Sequence, residues 1–216
     1  MNKTIVNQFI EASIRNPHSI ALIDGKSQIS YGRLLNQIRT SAVYLKNIGI
    51  TKYDRVIISA TSSASFVQVY FAVHLIGAVA VPLNPETPKS KIKNVCDRIQ
   101  PTLAITNDTT DHYPFKSVTI PEIELETVSE IEREHEYPKL DDMADLVFTT
   151  GTSGNPKGVC LSHRNITAAS TAINAVIGTT PSDIEVIPLP LFHSFGLGRI
   201  RCCLSIGATA VLIEGF

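Results

Sequence analysis

Apolar residues recur at three- and four-residue steps through Ile5, Val6, Phe9, Ile10 and Ile14 until Pro17, which predicts an amphipathic first helix. Ile20 to Asp24 and Gln28 to Tyr31, separated by Gly25 and Lys26, read as a hairpin. Ser30 then stands where an N-cap belongs, ahead of Leu34, Leu35, Ile38, Ala42, Leu45 and Ile48 at helical spacing, and Gly49 marks the stop. From Asp54 the pattern switches to alternation of short β-branched runs with helical ones. Arg55 to Ala60 is a strand, Ser62 to Gly77 a largely apolar helix, Val79 to Pro82 a strand, Pro88 to Gln100 a helix, and Leu103 to Thr106 a strand. A second series follows: a strand at Asp145 to Phe148, another at Gly158 to Leu161, and a helix from His163 to about Gly178. It ends with a strand at Ile184 to Leu189, a helix across Gly196 to Ile206 and a strand at Ala208 to Ile213.

Strand–helix alternation of this kind predicts an α/β fold: a mostly parallel sheet with helices on both faces, built from right-handed crossovers. The expected division places N-terminal helices and the hairpin in residues 1–50 and the sheet region in 51–216. Within the latter, residues 122–142 carry nine acidic side chains against Arg133 and Lys139, a composition that predicts a solvated connector.

At 216 residues the chain can bury a substantial core, and its net charge of −1 gives no electrostatic reason to expect nucleic acid or an anionic membrane as partner. The start lacks the apolar run of a secretory signal. The most apolar stretch, Phe66 to Leu83, is interrupted by Gln68, His74 and Pro82 and predicts no membrane span. Cys96, Cys160, Cys202 and Cys203 have no metal-ligand spacing and sit in apolar patterns, so buried, reduced thiols in a cytoplasmic protein are expected and no metal site is assigned.

The densest chemistry lies where the strand ending at Phe148 opens into Thr149, Thr150, Gly151, Thr152, Ser153, Gly154, Asn155, Pro156, Lys157 and Gly158. Four hydroxyl side chains in five positions offer neutral donors, the glycines let backbone amides approach an anion, and Lys157 adds one charge. A Walker loop requires Gly-Lys-Ser/Thr running into a helix. Here Lys157 precedes Gly158, and the apolar Val159, Cys160 and Leu161 follow. A loop between two strands that holds a polyphosphate fits better than a P-loop kinase. A plain surface turn rich in glycine and hydroxyls is the simpler alternative.

The run from Phe148 to Gly158 resembles the phosphate-binding signature of the AMP-forming adenylating enzymes, a superfamily of acyl-CoA synthetases, aryl-CoA ligases, luciferases and peptide-synthetase adenylation domains. Tyr31-Gly32-Arg33-Leu34 and Gly77 to Pro85 resemble two further segments of that superfamily, in its order. The resemblance implies attack of a carboxylate on the α-phosphorus of ATP, giving an acyl adenylate and pyrophosphate, followed by transfer to a thiol of CoA or a carrier protein. It also implies that Thr149, Thr150, Thr152 and Ser153, with amides near Gly151 and Gly154, hold the β- and γ-phosphates while Lys157 neutralises pyrophosphate. Pro190-Leu191-Phe192-His193 through Gly196 is similar to the segment that lines the acid pocket in acyl- and aryl-CoA ligases, with His193 near the α-phosphate. His193 also reads as a helix-capping or core histidine.

No aspartate follows within nine residues of Phe192, which favours an acyl or aryl acid over an amino acid. Ser162 is read as the cap of the helix beginning at His163, and Arg199 and Arg201 as two solvated helix charges, with contact to an anionic substrate or partner as the alternative. Counterparts of the superfamily's later signatures, including the main Mg2+ ligand and the C-terminal lysine, are not found before Phe216. The expectation is therefore the N-terminal portion of a larger ligase, inactive alone, whose missing C-terminal part is a partner. An amino-acid-activating adenylation domain and a non-catalytic anion- or protein-binding module are the alternatives.

Overall fold

The computed structural model describes residues 3–109, 112–124, 138–149 and 157–213. In chain order these form α1 (Ile5–Arg15), β1 (Ile20–Asp24), β2 (Ser27–Ser30), α2 (Tyr31–Asn47), β3 (Arg55–Ser59), α3 (Ala64–Leu75), β4 (Val79–Pro82), α4 (Lys89–Ile99) and β5 (Leu103–Thr106). They continue as β6 (Ser117–Thr119), α5 (Ile120–Glu124), β7 (Met143–Thr149), β8 (Lys157–Ser162), α6 (His163–Ile177), β9 (Ile184–Ile187), α7 (Ser194–Ile206) and β10 (Thr209–Leu212).

The α/β class and the predominance of parallel pairing agree with the sequence, but the strands form two sheets where one was expected. One has the order β2-β1-β10-β9 and the other β6-β5-β3-β4-β7-β8, with antiparallel pairing, among the described residues, only at β1–β2 and β7–β8. The split arises because β10 returns to lie parallel to β1, with Leu22 opposite Ala210, so the hairpin and the last strands build a sheet of their own. Local periodicity carries no information about such a distant partner.

α3 shows why the sheets stay together. Phe66 through Leu75 is buried without interruption, so the helix is enclosed around its whole circumference and sits centrally. Each fully buried Phe or Val there contributes about 1.5–3 kcal/mol. The central strands β3, β4 and β5 of the six-stranded sheet are covered on both faces. Val56 and Ile58 face the main core, while Ile57, Val79, Val81 and Ala104 face Ile92, Val95 and Cys96 of α4.

The ends of the helices follow the sequence closely. Thr4, Ser30, Ser63 and Ser162 accept from the backbone amide three residues on, and Ser162 with Asn165 completes a capping box. β6 and α5 are absent from the sequence-based reading, and Glu122 of the acidic stretch lies inside α5, where Ile120 and Ile123 are buried. A three-residue strand and a five-residue helix are too short for periodicity to register. Ile14, expected on the buried stripe of α1, is 67% exposed; Ala12 and Ser13 take the inward positions.

Candidate functional site

β7 and β8 form an antiparallel hairpin whose last described pair is Thr149 opposite Lys157. That pair therefore lies at the end of the sheet reached by the C-terminal end of β7, the end where open α/β sheets place ligands. Thr149 Oγ1 donates a long hydrogen bond, 3.5 Å, to the Lys157 carbonyl, and Lys157 itself is exposed. Thr150, Gly151, Thr152, Ser153 and Gly154 lie outside the described residues. Gly158 follows because Phe148 leans across the hairpin: a Cβ there would stand 3.3 Å from the phenyl ring.

His193 reaches the same end of the molecule from another element. It is the N-cap residue of α7, its side chain makes no capping bond, and it is exposed, with its ring centroid 5.3 Å from that of Phe192. The turn that presents it is held at both ends: Leu191 N donates to Ser62 Oγ at 2.8 Å, and His193 N to the Pro190 carbonyl at 3.1 Å. Gly196 is required by the tightness of that turn. A Cβ would lie 2.5 Å from the Pro190 carbonyl oxygen and 2.6 Å from that of Leu189.

Thr149 and His193 open onto one cavity of about 500 Å3, which Phe192, Val147, Asn84 and Lys91 also line. Lys157 is not among its lining residues and stands across the hairpin from Thr149. Asn84 and Lys91 escaped the sequence reading, although Asn84 lies in the Gly77–Pro85 segment that it singled out. Asn84 Oδ1 accepts from Glu86 N at 2.9 Å and its carbonyl from Thr87 Oγ1 at 2.6 Å, which fixes the turn into α4 and carries Lys91 to the cleft. Larger grooves of about 810 Å3, between α6, β9 and α7, and about 770 Å3, beside α2, hold neither Thr149 nor His193.

Four residues before Thr149, β7 carries the centre of a buried charge cluster. Asp145 of β7 is fully buried; its Oδ1 accepts from His74 Nε2 at 2.9 Å and from the Tyr70 hydroxyl at 3.1 Å, and its Oδ2 from Arg201. Arg201 Nε donates to the Tyr70 hydroxyl at 2.8 Å, and the guanidinium lies 5.5 Å from the Tyr70 ring centroid. Burial raises the Asp145 pKa, but the Arg201 charge and the bonds from His74 and Tyr70 outweigh it and hold the group below the usual carboxylate range. The solvated-charge reading of Arg199 and Arg201 is thus overturned. Arg201 is 6% exposed in this cluster, and Arg199 is paired with Glu185. The signal available in the sequence was complementary: a carboxylate inside the apolar β7, and a guanidinium between Ile200 and Cys202.

His163 packs edge-on against His74, ring centroids 5.0 Å apart, and burial, with a smaller contribution from the neighbouring His74, pushes its pKa down to about 3. Neither of its ring nitrogens has a hydrogen-bond partner among the described residues. Cys96, Cys202 and Cys203 are buried as expected, whereas Cys160 is exposed because β8 is an edge strand. Among the described residues no three His, Cys, Asp or Glu side chains converge as a metal site would require, and no helix is long and apolar enough to cross a membrane.

The model of the family described as AMP-binding enzyme matches residues 9–216. The 2-succinylbenzoate–CoA ligase of Bacillus velezensis is 32% identical over 217 residues, covering 97% of this chain and 44% of that protein. The o-succinylbenzoate CoA synthetase of Bacillus subtilis, solved in complex with the acyl-adenylate intermediate OSB-AMP, superposes with a TM-score of 0.92 at 26% identity. That match covers the whole of this chain and 57% of the other. The N-terminal subdomain of Klebsiella oxytoca NpsA, solved in complex with 3-hydroxybenzoyl-AMSN, gives 0.90 at 25% identity over 99% of this chain and 54% of the other. The chain thus spans less than half the length of the curated relatives it matches.

Proposed function

Because the chain belongs to the AMP-binding enzyme family, we propose that it supplies the phosphate- and acid-binding part of a ligase that activates an acyl or aryl carboxylate with ATP and passes it to a thiol, of CoA or a carrier protein. The observation that carries the proposal is the meeting of Thr149, at the mouth of the hydroxyl-rich loop, with Phe192 and His193 on one cavity. The names of the relatives, CoA ligases for 2-succinylbenzoate among them, support an aromatic or otherwise bulky acid. So does the apolar part of the cavity wall, Val147, Leu83 and Phe192.

In this scheme the acid lies along that wall with its carboxylate toward His193, which donates a hydrogen bond and holds the attacking oxygen in line with the α-phosphorus. The hydroxyls of Thr149, Thr150, Thr152 and Ser153, with the amides of Gly151 and Gly154, grip the β- and γ-phosphates, and Lys157 balances the charge that builds on departing pyrophosphate. Positioning and charge neutralisation account for catalysis; no side chain is required to form a covalent bond. Magnesium would enter with the nucleotide phosphates, and the superfamily resemblance puts its main protein ligand outside the residues described.

ATP–pyrophosphate exchange by the complete protein that carries this chain, assayed across aryl, acyl and amino acids, tests the reading. Exchange dependent on an aryl or acyl acid is expected. Exchange with amino acids alone, or with none, refutes it.

A further inference from the structure

The loop strand β7 and the helix α7 that begins after His193 are joined by Asp145 and Arg201. On β7, Asp145, Val147 and Thr149 alternate onto one face, and Thr149 lies about 13 Å further along the strand. On α7, His193 precedes Arg201 by eight residues, about 12 Å along the helix axis. From one buried ion pair, two rigid elements of nearly equal reach deliver Thr149 and His193 to the same cavity. Where β7 joins β4, the recorded register pair is Ala80 with Asp145 itself, so the ion pair sits at the point where the loop strand enters the parallel part of the sheet.

The cluster also has the completeness that positioning demands. Both Asp145 oxygens accept more than one bond, the Tyr70 hydroxyl donates to Asp145 while accepting from Arg201, and His74 closes the far side. One formal negative charge faces one formal positive charge. A buried pair of this kind contributes little net stability compared with apolar side chains of equal volume, since desolvation offsets attraction. What it supplies is directional geometry, because a planar guanidinium accepts few orientations.

We infer that Asp145 and Arg201, with Tyr70 and His74, are positioning residues that set the separation and orientation of Thr149, at the C-terminal end of β7, relative to His193. The inference rests on the adenylation reading for its catalytic consequence but not for its geometric one.

The test uses the complete protein and three variants: Arg201→Met, Asp145→Asn, and the two together, which leaves no uncompensated buried charge. Two readouts are taken besides the melting temperature. Nitroxides at Thr149→Cys and Ser194→Cys, in a Cys160→Ser background, report the spacing across the cleft, and ATP–pyrophosphate exchange reports kcat and KM. The paired variant is expected to melt within a few degrees of the parent, yet to show a shifted or broadened distance distribution and a kcat at least about tenfold lower, with KM for ATP changed less than about threefold. A parental distance distribution overturns the inference, as does a kcat that simply follows melting temperature across the three variants. Absence of exchange in the parent refutes the adenylation reading instead, and the distance measurement then decides the positioning role by itself.

Discussion

Acidification from pH 7 to pH 5 should weaken the fold through His163. Its imidazole is wholly buried, both ring nitrogens lack partners among the described residues, and its pKa falls from 6.5 to about 3. The unfolded chain takes up a proton below pH 6.5 that the folded protein refuses until about pH 3, so stability declines as pH drops through that window. With those two values the loss between pH 7 and pH 5 is about 2 kcal/mol. In urea this corresponds to a midpoint lower by roughly 1 M. Asp145 acts in the same direction but lower on the scale: its folded pKa lies below 3.8, so its contribution is present above that value and is lost only as pH falls through the folded one. The interval from 7 to 5 therefore separates the histidine from Asp145, and the comparison with a variant at position 163 isolates it.

Urea unfolding at half-unit pH steps, for the parent and for His163→Leu, reads the effect directly. The variant removes an unsatisfied buried polar group and should match or exceed the parent at pH 7. Its stability should then fall about 2 kcal/mol less on going to pH 5. Parallel pH profiles for the two proteins would refute the reasoning.

Three further outcomes are expected. Gly196→Ala should destabilise the protein by about 1–3 kcal/mol in thermal unfolding, because its methyl meets two backbone carbonyls, whereas Gly198→Ala, with nothing within 4 Å, should be neutral or stabilising by up to about 1 kcal/mol. Lys157→Ala should lower kcat/KM for pyrophosphate exchange in the complete protein by about 10- to 100-fold, the loss of one charge-assisted contact of about 1.5–3 kcal/mol; unchanged kinetics would remove Lys157 from the site. With a thiol reagent under native conditions, one cysteine of the four, Cys160, should react fast, and Cys160→Ser should abolish that phase.

Local structure was legible wherever short-range chemistry decides it. Leu34, Leu35, Ile38, Ala42 and Leu45 all turn inward on α2, Ser30 caps it, and Gly49 follows its end with a positive φ of 95°. The hairpin β7–β8 and the cap at Ser162 were readable for the same reason. Pairing across the chain was not. Leu22 meets Ala210 only because α1, α2 and α7 fold over a shared core, and no window of sequence records that.

Charge was the other blind spot. Helical periodicity assigns an arginine to solvent by default, whereas the buried carboxylate of Asp145 holds Arg201 inside. Of the residues assigned to the site from sequence, Thr149 and His193 meet on the cavity and Lys157 faces Thr149 across the hairpin. Thr150, Gly151, Thr152, Ser153 and Gly154 lie outside the described residues, and their contacts stand as proposals.

The central claim is that the β7–β8 turn holds the triphosphate while His193 faces the acid. It is tested most directly by a crystal structure of the complete protein soaked with ATP, magnesium and an accepted acid. The account predicts phosphate density against Thr149 and the hydroxyl run up to Lys157, with the acid's carboxylate within hydrogen-bond reach of His193. Nucleotide seated elsewhere, with that turn empty, would contradict it.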